Sequence, residues 1–312
     1  MTVAFLFPGQ GAQTVGMGRD LYEAFPAAKR VFDLAEETLE MPVKRLCFDG
    51  PDEELSRTDV CQPAILTVSA AVLAVMEDLL GPAAPRPGFA AGLSLREYTA
   101  LLAAGALELP DALRLVARRG SAMQEAAAAA DSGMVSVLGL DEQQARSLCE
   151  AAAEGQVLTC ANFNCPGQIV LSGEKAACER AVERAEEFGA SRAVPLNVAG
   201  AFHCELMAPA AERLRSALQA VEFRPPSGAT VVANVDAEPY ADARGIAGKL
   251  LAQLTSPVRW QQSVERLIAQ GADEFYEIGP GRVLAGLMRR IDRSHRVTCL
   301  NGRESLEALA TA

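Results

Sequence analysis

Ser94 lies in the stretch Ala91-Gly92-Leu93-Ser94-Leu95-Arg96-Glu97-Tyr98. The small apolar run Phe89–Ala91 before it reads as a buried strand, and Leu95 to Leu102 after it reads as a helix. Strand, Gly-x-Ser and helix in that order form the setting of a nucleophile elbow, which lifts a serine hydroxyl out of the backbone. Gly92 suits so tight a turn because it has no Cβ. Arg96 stands where the usual pattern has a second glycine, so the motif is half intact. A serine nucleophile needs a general base, most often histidine, and the chain has two. His295, in Asp292-Arg293-Ser294-His295-Arg296, reads as a surface residue. His203, in Ala199-Gly200-Ala201-Phe202-His203-Cys204, falls at the mouth of a strand and just before a helix, where active-site residues collect in open α/β sheets. We therefore take His203 as the base. No acid completes a triad: Asp131, Asp141 and Glu174 belong to a separate segment or its borders, so a dyad oriented by a backbone carbonyl serves equally well.

A third chemical signal is Arg119. The run Asp111–Ala128 carries Ala112, Leu115, Val116, Arg119, Gly120 and Met123 at i, i+3, i+4 spacing, with Arg114, Arg118 and Glu125 opposite. That pattern predicts an amphipathic helix with an arginine on its buried stripe. A buried guanidinium needs an anionic partner. Either an internal Asp or Glu supplies it, or a substrate carboxylate does.

The elements that position these groups follow from periodicity. Thr2–Phe7 predicts a buried strand running into Pro8-Gly9-Gln10-Gly11-Ala12-Gln13. Thr14 stands where a dinucleotide fingerprint would have its third glycine, so the loop is better read as offering backbone N–H groups to a ligand. Helices are expected over Asp20–Glu40, broken at Pro26, and over Cys61–Leu80 in the core; Asp52–Leu55 reads as a polar connection. From Gly133 the order is strand Met134–Leu140, helix Asp141–Ala153, strands Val157–Asn162 and Gln168–Ser172, helix Glu174–Phe188, strand Ser191–Val198. This β-α-β-β-α-β order is ferredoxin-like and reads as an insertion, because α/β segments resume afterwards. Those are a helix Glu205–Ala220, a strand Thr230–Asn234, helices near Ala247–Leu254 and Gln261–Gln270, a strand Glu274–Ile278, a helix Val283–Ile291 and a strand Val297–Leu300.

The bulk numbers bound the class. At 312 residues the chain can bury a large core. Its net charge of -11 argues against general nucleic-acid binding. Met1–Phe7 lacks the basic region of a signal peptide, and no run is expected to approach the ~18 apolar residues of a membrane span. Eight scattered cysteines without a Cys-x-x-Cys pair point to reduced thiols in a cytoplasmic protein.

Several motifs now combine in order: Phe7-Pro8-Gly9-Gln10-Gly11-Ala12-Gln13, Gln62-Pro63-Ala64, Gly92-Leu93-Ser94-Leu95 with Glu97-Tyr98, Arg119-Gly120 with Met123-Gln124, Asn162-Phe163-Asn164 with Pro166-Gly167-Gln168, Ala201-Phe202-His203, Gln253-Leu254 with Pro257-Val258, and Glu277-Ile278-Gly279-Pro280-Gly281. By these, the chain resembles the malonyl-CoA:acyl carrier protein transacylases almost end to end. The resemblance implies an α/β fold, an α/β-hydrolase-like core over 1–128 and 199–312 with a ferredoxin-like subdomain over 129–198. It implies that Ser94 attacks the thioester of malonyl-CoA with His203 as base, and that the backbone N–H groups of Gln10 and Leu95 hold the oxyanion. It further implies that Arg119 clamps the malonyl carboxylate and that Gln253 orients His203 through its backbone carbonyl. The resemblance also makes Phe202 look like the malonyl-selecting version of its position, where methylmalonyl-type enzymes of the wider acyltransferase class tend to carry Ser, and implies a place for Asn162 in the substrate-binding set. The implied partner is the phosphopantetheine arm of acyl carrier protein, with no metal or redox cofactor and a monomeric, cytoplasmic enzyme of fatty-acid synthesis. Since carrier and chain are both acidic, docking needs a basic patch, and Arg282, Arg289, Arg290, Arg293 and Arg296 form the dense one; a plain solvated helix face is the alternative.

Two departures stand out. Leu93 replaces the histidine commonest before the nucleophile. Arg96 replaces the family's glycine and puts a cation in the first turn of a helix, its unfavourable end. Three outcomes are open for Arg96: it is directed to solvent, it alters acyl or thiol preference, or it impairs catalysis. The rival readings are a polyketide acyltransferase acting in trans, a non-catalytic homologue that only binds carrier protein, and a serine hydrolase.

Overall fold

In the computed structural model, which describes residues 1–311, the strand-forming runs sort into two sheets. The first has five strands, all parallel, in the order β7-β2-β1-β8-β9. They are β1 (Thr2–Phe7), β2 (Pro87–Gly92), β7 (Thr230–Val231), β8 (Ala272–Ile278) and β9 (Val297–Leu300). Parallel strands are covered on both faces and so read as continuous apolar runs, as Ala4–Phe7 does with all four residues buried. Because β1 lies between β2 and β8, the loops that follow these three strands, Pro8–Gln13, Leu93–Leu95 and Gly279–Arg282, open at the same carboxyl edge. That edge is where open α/β sheets bind ligands.

The second sheet has four antiparallel strands in the order β4-β5-β3-β6, formed by β3 (Ser132–Leu138), β4 (Leu158–Cys165), β5 (Gln168–Glu174) and β6 (Arg192–Pro195). With helices Glu142–Ala153 and Lys175–Arg184 on one side, it is the ferredoxin-like unit, inserted between halves of the larger body. The two units are joined by backbone. Asn162 bridges to Val258, Phe163 N–H donates to the Val258 carbonyl at 2.9 Å, and Val258 N–H donates to that of Ala161 at 2.8 Å.

Two long helices pack against each other beside the parallel sheet, Thr58–Leu80 and Leu109–Ala128. Gly120 lets them close, since a Cβ there would sit 2.6 Å from the Thr58 carbonyl oxygen. The first corrects an expectation: Thr58–Ala83, at mean hydropathy 1.8, is long and apolar enough by length and composition to cross a membrane. Its Cys61–Val72 stretch is buried throughout in the core.

Other boundaries differ locally. Asp52–Leu55 forms a short helix rather than a connection, and helices Val43–Asp49 and Arg303–Thr311 appear where none was expected. The strand expected over Thr230–Asn234 stops at Val231, and Asn234 is turned to another use.

Candidate active site

The β2 strand ends at Gly92, and the chain reverses through Leu93 into a 3-10 turn, Ser94–Arg96, before the helix Glu97–Ala103. A Cβ on Gly92 would collide with the carbonyl of Arg96, so only glycine permits this turn. Ser94 itself is held at φ 58° and His203 at φ 59°, both in the left-handed region. A non-glycine residue there costs of order 1–3 kcal/mol and persists only where its surroundings fix it.

The fixing groups come from far along the chain. Asn234 Oδ1 accepts the Ser94 N–H at 2.6 Å while its Nδ2 donates to the Gly92 carbonyl at 2.8 Å, stapling both sides of the turn. Glu97, fully buried, accepts from the Asn234 N–H, from the Tyr240 hydroxyl and from Gln253 Nε2, the last at 2.6 Å. Burial, opposed by these three donors, pushes the Glu97 carboxyl up to about 7. Gln253 Nε2 also donates to the Ser94 carbonyl at 3.0 Å.

Ser94 Oγ and His203 Nε2 are 2.8 Å apart, and His203 Nδ1 lies 2.8 Å from the Gln253 carbonyl. A carbonyl only accepts, so Nδ1 carries the proton and Nε2 is left to accept from the serine. Burial, with the Arg119 charge, pulls His203 down to about 4, which keeps the ring neutral at ordinary pH.

Arg119 is buried beside this pair. Nη2 donates to Ser94 Oγ at 3.0 Å and to Gln253 Oε1 at 2.9 Å, and Nη1 donates to Gln62 Oε1 at 2.8 Å. All three acceptors are neutral, and among the described residues Nε has no partner. Among the described residues no carboxylate hydrogen-bonds to Arg119; the buried Glu97, joined to it through Gln253, is the carboxylate whose charge reaches it. Burial lowers its pKa, but a guanidinium keeps its charge in proteins.

These groups line a cleft of about 730 Å³ between the two units. Gln10, Ser94, Arg119, Phe202 and His203 come from the larger body, Asn162, Val170 and Leu196 from the smaller, and Val283 and Leu287 from the helix Val283–Ile291. Gln253 lies behind the lining, and the Leu95 side chain is buried away from it. The arginine cluster divides. Arg289, Arg290, Arg293 and Arg296 share one basin with His295, whereas Arg282 faces a different one beside Cys299 and Asn301. His295 is half-buried rather than a free surface residue, paired with Asp292 at 3.0 Å and packed edge-on against Phe275.

Arg96 departs most from expectation. It is not directed to solvent but wholly enclosed. The 3-10 turn swings its side chain inward, and Nη1 donates to Ser69 Oγ at 2.6 Å. Sequence reasoning gave no role to Asn234, Glu97, Gln62 or Tyr240. Gln62 and Glu97 lie in the quoted motifs, the only available signal, while Asn234 and Tyr240 carry none.

An acyl transferase domain family model matches residues 4–299. The malonyl CoA-acyl carrier protein transacylase of Bacillus subtilis is 46% identical over 306 residues, covering 98% of this chain and 95% of that protein. Among solved structures, an acyl-carrier-protein-S-malonyltransferase from Bartonella henselae superposes with a TM-score of 0.95 at 42% identity, covering 100% of this chain and 99% of that one. A malonyl-transacylase in complex with its type II PKS acyl-carrier protein superposes with a TM-score of 0.93 at 40% identity, covering 100% and 99%.

Proposed function

The chain belongs to the acyl transferase domain family, and from that premise we propose that it moves a malonyl group from malonyl-CoA to the phosphopantetheine thiol of an acyl carrier protein, for fatty-acid synthesis. The observation that carries this reading is Arg119, a buried cation 3.0 Å from the nucleophile oxygen whose protein partners are all neutral. An acyl group with its own carboxylate supplies the missing anion.

The chemistry runs in two half-reactions. His203 Nε2 takes the Ser94 proton as Oγ bonds to the thioester carbon, and the N–H groups of Gln10 and Leu95 receive the negative oxygen. The C–S bond then breaks, and the coenzyme A sulfur leaves with the proton from His203. In the second half the carrier thiol gives its proton to His203 and attacks the Ser94 ester, and the serine oxygen recovers the proton. The Nδ1–H bond to the Gln253 carbonyl keeps the ring in the needed tautomer throughout, so the dyad works without an acid. Serine, histidine and thiols carry every step of this scheme, which calls on no metal or redox cofactor. Arg119 serves as carboxylate clamp, and Phe202 and Asn162 shape the acyl pocket. The basin of Arg289, Arg290, Arg293 and Arg296 is our candidate docking surface for the acidic carrier. We further propose a monomer in the cytoplasm, the latter supported by eight unpaired thiols.

Intact-mass measurement after mixing with malonyl-CoA tests the core of this reading. A malonyl adduct that is lost in Ser94→Ala supports it; no adduct in the native chain overturns it and favours a protein that only binds the carrier. The PKS complex of the similar transacylase favours a second reading, service to a polyketide pathway. Comparing KM for fatty-acid and polyketide carrier proteins separates the two.

A further inference from the structure

Arg96 occupies a position that the transfer scheme leaves unused. Its guanidinium is fully buried, and among the described residues its only hydrogen bond runs to Ser69 Oγ, with Nε and Nη2 unpartnered. Ser69 in turn donates to the Ile278 carbonyl at 2.9 Å. The next residue, Gly279, is at φ 127°; a Cβ there would collide with Ser69 Oγ and approach Arg96 Nη1 to 3.6 Å. On the other side of Ile278, the buried Glu277 carboxylate lies within the electrostatic reach of Arg96. It accepts the N–H groups of Leu284 at 3.0 Å and Ala285 at 2.8 Å, capping the helix Val283–Ile291. That helix turns Val283 and Leu287 into the cleft. One unbroken series of contacts thus runs from the nucleophile turn through Arg96 and Ser69 to the loop and helix that form the cleft rim. The Arg96 side chain bonds to Ser69 and to neither Ser94 nor His203, and the charge that bears on the His203 ring is that of Arg119.

We propose that Arg96 is a positioning residue that ties the Ile278–Arg282 loop and its rim helix to the nucleophile turn, and so sets how tightly the pantetheine arm of coenzyme A or of the carrier is held against Val283 and Leu287. The inference rests on the malonyl-transfer reading for the identity of that arm. Arg96 adds nothing to the bond-making at Ser94; it fixes the surface past which the thiol enters. A displacement of the rim is felt only by substrates that have an arm to lay against it.

The test is a KM-against-kcat comparison with two donors. In Arg96→Gly, KM for malonyl-CoA and for the carrier should rise about fivefold to tenfold with kcat within about twofold, while a short malonyl thioester without the arm should react at an unchanged rate. Arg96→Lys, which keeps the charge and reaches toward Ser69, should recover part of the loss. Ser69→Ala should reproduce it, and the double variant should lose no more than either single one. Arg96→Met guards against a cavity artefact by keeping the volume filled, and the same KM rise is expected. Equal slowing of the long and short donors would mean a damaged turn and would overturn the proposal, as would an unchanged KM. Calorimetric binding of coenzyme A itself separates this inference from the transfer reading. Its Kd should weaken by the same factor in Arg96→Gly even if no malonyl ester ever forms, and an unaltered Kd overturns the positioning role.

Discussion

Arg96 and Arg119 are both fully enclosed around the nucleophile turn, and their surroundings put them to different uses. Arg119 is met by two amide oxygens and a hydroxyl, all neutral, at the wall of an open cleft. Arg96 is met by one hydroxyl with no cleft in front; each arginine has a buried carboxylate further off, Glu277 for Arg96 and Glu97 for Arg119. Neutral acceptors satisfy a guanidinium's N–H groups without cancelling its charge, so Arg119 retains an attraction for an incoming anion. Arg96 faces only protein, and its charge can act only on the protein's own arrangement. Burial alone is therefore no ground for proposing an arginine as a carboxylate clamp; the kind of partner and the side that stays open are.

The largest expected effect tests the Arg119 half of this contrast. Arg119→Ala should lower kcat/KM for malonyl transfer by about 2–5 kcal/mol, the range for removing one partner of a buried charge pair. Acetyl transfer, which has no carboxylate to hold, should fall far less. Equal losses for the two acyl groups would remove Arg119 from its role as clamp and leave the two arginines alike.

A stability comparison is next in size. Arg96→Met exchanges a cation with two unpartnered donors for an apolar side chain of similar reach, and should stabilise the fold by about 1–3 kcal/mol. Arg119→Met strands the buried carbonyls of Gln62 and Gln253, each worth about 1–3 kcal/mol when left unpaired, and should give no such gain. Urea midpoints at constant slope measure both. A gain from Arg119→Met as large as that from Arg96→Met would erase the distinction drawn from their partners.

The same pair shows what a sequence can disclose. Arg119 was legible because helical periodicity is local: Leu115, Val116, Gly120 and Met123 surround it on one stripe, and all of them are buried. The ferredoxin-like unit was legible for the same reason, its strands and amphipathic helices alternating within a short segment. Arg96 was not, because its direction depends on a 3-10 turn forced by the contact of Gly92 with the Arg96 carbonyl, and on an acceptor, Ser69, on another helix. Asn234 and Glu97 were hidden likewise, since the bond from Asn234 to the Ser94 N–H joins residues 140 positions apart. The arginine cluster was dense in sequence, yet Arg282 precedes the helix that carries Arg289 and Arg290 and faces another side. For Arg282, proximity along the chain did not become a shared surface.

The smallest effect is a shift in pH dependence. His203 is held down to about 4, by burial first and by the Arg119 charge second. The reactive form is the neutral ring, so kcat/KM for Ser94 acylation should stay level as pH falls below 6.5 and decline only near 4. Arg119→Gln removes the nearby cation but leaves the ring buried, so the acid limb should move up toward 6.5 without reaching it. Arg96→Gln should leave the limb in place, because Arg96 is not among the groups that shift the ring. Linkage gives a second readout of the same sign. Between about 4 and 6.5 the unfolded chain binds a proton at this histidine that the folded chain does not, so stability is fully present above 6.5 and is lost as pH falls toward 4. That slope should flatten in Arg119→Gln and persist in Arg96→Gln. An equal shift in both variants would mean that the two buried charges act on the dyad alike, and the division of labour between them would fail.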